Sequence, residues 1–304
     1  MFTSLLLKYP NATVQKQYPS TAEPGKIWFS NEHQDEFIGI DANDLTKDEL
    51  ELLRCLFNEM DSVKKPMNDS RSAMEWYHFL YEKGPVPSHS GNEYRVIQFS
   101  LKEQMDMQPM KEAFEHLLPL HSTLIFIDEH KGLIIEEQNE LNLDGDQLRS
   151  ISHVIESDFF VSISFFIGSF QALDVEFVHH FHQERELFTF SRTRQPSVYV
   201  QSVKTVLPRF MLHQLPVKWK QHFFGKARKV FEEEPELIQT VKSFLENQSN
   251  ISQTAKTLFM HRNSVQYRID KFIEKTAIDI KSFEGGLLAY LAVLDFETDN
   301  LPKK

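Results

Sequence analysis

The chain has 304 residues, of which 41% are hydrophobic, with ten Gly and thirteen Pro; this is enough apolar content for two or three packed domains, with no bias toward low complexity. Its formal charge is −11 and Cys55 is its single cysteine, which excludes an intramolecular disulfide and a cysteine-based zinc cluster and suits a reducing cytoplasm. The Leu5-Leu6-Leu7 patch is too short for a signal-peptide core, and no apolar run reaches the roughly 20 residues of a membrane span.

Residues 1–83 read as a small α/β unit. Ile27 to Phe29 and Phe37 to Ile40 are short apolar runs on either side of polar Ser30 to Glu36, a hairpin pattern. Thr46 and Glu49 have the spacing of a capping box, with Leu45 and Leu50 as its hydrophobic staple, which predicts a helix running to Phe57. Trp76, Tyr77, Phe79, Leu80 and Tyr81 form an aromatic helical segment; docking against the next domain is favoured over a ligand site. Gly84 to Gly91 contains Pro85 and Pro87, which defeat helix and strand alike, and marks a linker.

A central domain is expected over 92–200. Tyr94 to Leu101 alternates as a strand, Met110 to Leu118 is helical, and Ser122 to Ile127 with Leu133 to Glu137 forms a hairpin tipped by Asp128-Glu129-His130-Lys131-Gly132. Gln147 to Ile155 is helical, Phe160 to Ile167 is a strand, and Ala172 to Leu187 is a helix with Leu173, Phe177 and Phe181 on one face. On that last helix His179, His182 and Glu186 have spacings that put metal ligands on one side. A solvated helix with histidines beside Phe177 and Phe181 is the favoured reading, because no second ligand cluster exists elsewhere. There is no Gly-rich phosphate loop, G-x-S-x-G elbow or HExxH, so no catalytic residue, metal or cofactor is assigned.

A helical connector over 201–231 leads to an all-α domain over 232–298. Leu237, Val241, Phe244 and Leu245 form one apolar stripe. Ile251, Ala255 and Leu258 form a second, and Val265, Ile269 and Phe272 a third, all at helical spacing. Asn250 is placed to cap the second helix, with Gln253 in the reciprocal position. Phe259-Met260-His261 leaves room only for a tight corner, so the third helix crosses the second steeply. With Val265 toward the core, Asn263, Gln266, Tyr267 and Asp270 point outward, Ser264 and Lys271 flank them, and Arg262 stands at the start. Arg pairs guanine O6/N7 and Asn or Gln pairs adenine N6/N7, so this helix is equipped for the major groove. Between Lys204 and Lys281 there are fourteen Lys/Arg and eight Asp/Glu, whereas the rest of the chain holds nineteen and thirty-six. That segregation suits an acidic protein with one DNA-binding end, although a small bundle with a solvated polar face is the plainer alternative.

The run His261-Arg262-Asn263-Ser264-Val265-Gln266-Tyr267-Arg268-Ile269, with Thr254-Ala255 and Leu258 before it and Leu287 to Ala292 after it, resembles the C-terminal helix-turn-helix of PucR/CdaR-type bacterial regulators. More distantly it resembles the Fis-type helix-turn-helix. One departure is Ala277, where the family usually carries Gly. The central β-α-β-β-α-β-α order, with the Ile167-Gly168-Ser169 step, resembles the degenerate GGDEF-like domain of CdaR-type regulators. Its hairpin tip lacks the paired glycines of a cyclase and carries Lys131, so the hairpin is read as structural and the chain as no enzyme.

The expected fold is α+β: an N-terminal α/β unit, a central GGDEF-like α/β sandwich and a C-terminal all-α helix-turn-helix domain. The resemblance implies a cytoplasmic, sequence-specific DNA-binding transcriptional regulator with its recognition helix at about 262–273. Double-stranded DNA would be met by Arg262, Asn263, Ser264, Gln266, Tyr267 and Arg268, with Lys271 and Lys275 toward phosphates. The N-terminal and central domains would sense an effector or form a homodimer through the region from Tyr94 to Leu187 or through Trp76 to Tyr81. A signalling or scaffold protein whose helix-turn-helix no longer binds DNA is the alternative, and a nucleotide-handling enzyme of GGDEF descent is a weaker third reading.

Overall fold

The computed structural model describes residues 2–15, 25–31, 36–60, 70–87, 92–103, 107–195 and 198–299. Part of the hairpin turn expected over 30–36 and part of the linker expected over 84–91 lie outside them. The chain is α+β and divides into two compact units, Met1–Arg185 and Glu186–Lys304.

The first unit opens with α1 (Thr3–Lys8), β1 (Thr13–Gln15), β2 (Lys26–Ser30), β3 (Phe37–Asp41), α2 (Lys47–Leu56) and β4 (Asn58–Met60). Their strands form an antiparallel sheet in the order β1-β3-β2-β4, in which the β2–β3 hairpin is the expected one. At the start of α2 the Glu49 N–H donates to the Thr46 hydroxyl at 3.3 Å and the Thr46 N–H donates to the Glu49 carboxylate at 2.9 Å, closing the capping box. Leu45 and Leu50 pack against the core of Phe29, Ile38, Ile40 and Leu53.

Then come α3 (Arg71–Tyr81), β5 (Glu93–Leu101), α4 (Met107–Leu117), β6 (Thr123–Phe126), β7 (Lys131–Glu137), α5 (Gly145–Phe159), β8 (Ile163–Ile167), β9 (Gln171–Ala172) and α6 (Glu176–Arg194). The strands β8-β5-β7-β6 lie side by side, every pair antiparallel, and β9 pairs with β5. Numbered within this domain the order is fourth, first, third, second, which is the split β-α-β arrangement of ferredoxin-like folds. Side chains alternate between the two faces of β5: Tyr94 and Val96 join a core with Trp76, Tyr77, Phe177 and Phe181, while Phe99 stacks on Phe114 at 5.0 Å and meets Phe126 at 5.5 Å.

The aromatic segment of α3 is therefore core. Trp76 and Tyr77 are 2% and 1% exposed, which removes Trp76 to Tyr81 as an open surface for a second chain or a ligand. Several element boundaries also move; the strand expected from Phe160 begins at Ile163, because Phe160 is the left-handed cap of α5. The hairpin tip is shorter than Asp128 to Gly132, because Lys131 and Gly132 already pair with Ser100 and Phe99. A Cβ on Gly132 would lie 2.2 Å from the Phe99 ring, so only glycine lets that ring lie over the strand. The last helix begins at Glu176 rather than Ala172, because Ala172 and Gln171 pair with Glu93 and Tyr94. Of its histidines, His179 and His180 are exposed, whereas His182 packs between Tyr81 and Phe181, and burial, then Arg185 and His179, pull its pKa down to about 3. Among the described residues no group of three or more His, Cys, Asp or Glu is arranged to hold a metal ion.

The second unit contains β10 (Val200–Ser202), α7 (Val203–Gln214), α8 (Val217–Glu233), α9 (Pro235–Glu246), α10 (Ile251–Thr257), α11 (Arg262–Thr276) and α12 (Phe283–Asp299). One core joins Leu212 of α7, Phe224, Ala227, Val230 and Phe231 of α8, Leu237, Val241 and Phe244 of α9, Ala255 of α10, Val265, Ile269 and Phe272 of α11, and Ala289 to Leu294 of α12. The stretch 201–231, expected as a connector, thus supplies α7 and α8 to the helical core. Two carboxylates of α12 fasten the neighbouring helices. Asp295, 3% exposed, lies 3.2 Å from both Lys220 and Arg228, and Glu297 pairs with Arg209 at 2.6 Å and Lys242 at 2.7 Å.

Candidate nucleic-acid interface

The corner between α10 and α11 is set by its backbone. Asn250 caps α10 by accepting the Gln253 N–H at 3.0 Å. Its own N–H donates to the Asn247 carbonyl at 3.1 Å, so the reciprocal half of the expected capping box has no donor left to bind. Phe259 takes a left-handed φ of +53°, and the Met260 N–H turns back to the Ala255 carbonyl at 2.9 Å. That closes α10 in a single residue and lets His261 start the next helix. The His261 ring nitrogen Nδ1 accepts the Asn263 N–H at 3.2 Å. Sequence reading gave His261 to the corner; its side chain is in fact the N-cap of α11, which its residue type does not signal, because N-caps favour Ser, Thr, Asp and Asn.

Helix α11 buries Val265, Ile269 and Phe272 completely. The Phe272 ring lies parallel to Phe231 of α8 at 5.6 Å. This fixes the rotation of the helix, and the opposite side carries the polar groups. Arg262, Asn263 and Ser264 form an exposed first turn, and Tyr267 is 65% exposed one turn on. Lys256, exposed at the end of α10, was not among the expected contacts.

The remaining expected contacts have partners inside the unit. Gln266 donates its amide to both carboxylate oxygens of Asp270 at 2.7 Å, and Lys281 reaches Asp270 at 2.9 Å. The Gln266 bond, then Lys281, hold the Asp270 carboxyl below its ordinary range. Arg268 turns toward the body, donating to the Thr240 hydroxyl at 3.2 Å and meeting the Met260 sulfur at 3.4 Å. Lys271 lies 2.5 Å and Lys275 2.6 Å from the Glu234 carboxylate at the end of α8, with Glu233 3.5 Å from Lys275. Hydrogen bonds from Lys271 and then Lys275 lower the Glu234 pKa, and the bond to Glu234 raises that of each lysine. The helix is thus divided: its first turn and Tyr267 face solvent, and Arg268, Lys271 and Lys275 tie it to α9 and α8.

Residues 237–294 match the family model of the PucR C-terminal helix-turn-helix domain, and the chain is 33% identical to YxkF of Bacillus subtilis (strain 168) over 97% of its own length and 99% of that protein. The chain belongs to the PucR-type regulators. YxkF is described as an uncharacterized protein. The Leucine-rich protein of Streptococcus dysgalactiae subsp. equisimilis is 22% identical, over 89% of this chain and 93% of its own. The Purine catabolism regulatory protein of B. subtilis is 32% identical over 27% of this chain and 16% of its own length. The PucR-type match coincides with α9 to α12, the helices that build and back the exposed turn, and it marks a regulator rather than an enzyme.

Proposed function

We propose that the protein is a sequence-specific DNA-binding transcriptional regulator that works in the cytoplasm as a homodimer, with α11, about residues 262–273, in the major groove. The observation that carries this reading is the exposed first turn of α11. Arg262, Asn263 and Ser264 stand clear at the helix start while Val265, Ile269 and Phe272 are wholly buried behind them, and that is the part of a recognition helix that meets base edges. Gln266 reads a base only by exchanging its bonds to Asp270, so Arg262 and Asn263 carry the main discrimination. Arg268 acts by holding α11 against α9. The first unit is the regulatory part, and the fourth-first-third-second strand order supports reading its central domain as GGDEF-like and emptied of catalysis, open to a small-molecule effector.

The test is selection of genomic fragments by the purified chain, followed by Arg262→Ala. The wild type should enrich a defined site, and the variant should lose ~1–3 kcal/mol of discrimination at one base pair while remaining folded. A chain that enriches nothing at any salt concentration is an interaction module with a helix-turn-helix core, and the DNA reading is then wrong.

A further inference from the structure

Gln266 and Asp270 stand one turn apart on the outward side of α11, a spacing at which helical side chains meet. The Gln266 amide nitrogen donates to both Asp270 oxygens at 2.7 Å, and Lys281, in the turn before α12, donates to Asp270 Oδ1 at 2.9 Å. The Lys281 N–H is itself anchored on the Asp279 carboxylate at 3.1 Å. Asp270 is thus held from the preceding helical turn and from the chain beyond the helix. A carboxylate only accepts, which settles the orientation of the Gln266 amide: its nitrogen lies toward Asp270 and its oxygen away. The bonds that hold the Asp270 carboxyl below its ordinary range keep it charged, and the amide held, at neutral pH.

We infer that Asp270 is a specificity-determining residue of α11, acting by withholding Gln266 from the bases. The inference rests on the DNA reading above and adds a residue to it. An adenine edge presents N7 as acceptor and N6 as donor, and glutamine reads it with amide nitrogen and oxygen together. Here the nitrogen is already committed to Asp270. In free solution the exchange is easy, because the Asp270 side chain is 54% exposed and water replaces the lost donor. In the groove the same exchange takes a donor from a carboxylate set among phosphates and away from bulk water, where an ionised group that loses a hydrogen bond is costly. Arg262 and Asn263, in the exposed first turn, carry no such tether. The wild-type chain is therefore selective where those two side chains stand and indifferent at the base pair beneath Gln266.

The test is selection from a randomised duplex library with the full chain and its variants, each checked for a cooperative thermal melt. Wild type and Gln266→Ala should enrich the same site, because the glutamine contributes to neither. Asp270→Ala should keep that site and add a preference for adenine of at least about fivefold at one base pair, the lower end of what a bidentate pair supplies. Combining Asp270→Ala with Gln266→Ala should erase the added preference. Asp270→Asn, which keeps the shape and one acceptor for the amide, should add a smaller one. A site altered by Gln266→Ala alone would show that the glutamine reads a base despite Asp270, and overturns the inference. So does an Asp270→Ala chain that binds all sequences more tightly with no new adenine preference, since Asp270 is then only a repelling charge. Loss of a cytosine preference in Asp270→Ala also overturns it, because the carboxylate would itself be accepting from cytosine N4. In those three cases the DNA reading stands; a wild type that enriches nothing overturns both.

Discussion

Lys275 lies 2.6 Å from the Glu234 carboxylate, and Lys271 shares the same acid. One carboxylate at the end of α8 therefore holds two cations of the helix proposed to enter DNA, both of them expected at phosphates. Phosphate contact requires these pairs to open, so Glu234→Gln should strengthen binding to all sequences alike and steepen the dependence of log K on log salt by about 1–2. Titrations at several salt concentrations decide it. An unchanged slope would mean that both lysines stay bound to the protein body and that Arg262 and Lys256 supply the basic contacts.

The helical unit should need α7 and α8 in order to fold. Removing everything before residue 232 strips Phe224, Val230 and Phe231 from the core and uncovers Phe272. At ~1.5–3 kcal/mol for each large side chain, that loss rivals the ~5–15 kcal/mol that holds a domain together. A fragment over 186–304 is expected to melt cooperatively and one over 232–304 to lack a cooperative transition. Equal melts for the two would show that α8 is dispensable.

Ala277 ends α11 at φ +60°, donating its N–H to Ile273 at 2.8 Å. The left-handed region costs a residue with a Cβ about 1–2 kcal/mol, while glycine adds back roughly 0.5–1 kcal/mol through the freedom of the unfolded chain. The first effect wins narrowly. Ala277→Gly should raise urea stability by about 0.5–1 kcal/mol, and a variant less stable than wild type would mean that the turn is held by contacts of the Ala methyl.

Local patterns were legible in the sequence. The Thr46–Glu49 box, the β2–β3 hairpin, the β5 to β8 strands and the three apolar stripes of α9 to α11 depend on residues within about a turn of one another. What was not legible depended on distant partners. Glu234 has no local feature that assigns it to Lys271 and Lys275, so both lysines read as free cations. Arg268 matches the family pattern, yet its guanidinium is used on Thr240, 28 residues away. The α7–α8 stretch reads as a connector, and what brings it into the bundle is distant in sequence: Phe231 stacks on Phe272, Phe224 and Val230 join the shared core, and Asp295 and Glu297 of α12 hold its cations. Trp76 to Tyr81 read as a segment docked against the next domain, and Tyr94 and Phe177 of that domain do lie over it; its use as a dimer surface is what that burial removes.

The first unit should lose stability as pH rises through neutrality, and Glu184 is the cause. Its side chain is 8% exposed, with one carboxylate oxygen accepting the Ser169 N–H at 2.8 Å. A Cβ on Gly168 would lie 2.3 Å from its other oxygen, so the carboxyl is closed in by backbone. Burial, opposed by the bonds from Ser169, pushes its pKa up to about 7 from 4.5. A carboxyl raised in the folded state favours folding while it is protonated. The contribution is complete below pH 4.5 and disappears as pH rises through 7, up to about 3 kcal/mol in all. His182 acts in the opposite sense. With its pKa lowered to about 3 from 6.5, it weakens the fold only as pH falls below 6.5. The window from pH 6.5 to 8 therefore keeps His182 largely out of play, and replacing Glu184 separates it from Glu186, whose carboxyl pKa burial also raises. Urea midpoints of the wild type should drop across that window, and those of Glu184→Gln, which keeps the shape without the titration, should stay nearly level. If both fall by the same amount, the pH dependence belongs to another group and the Glu184 carboxylate is charged throughout.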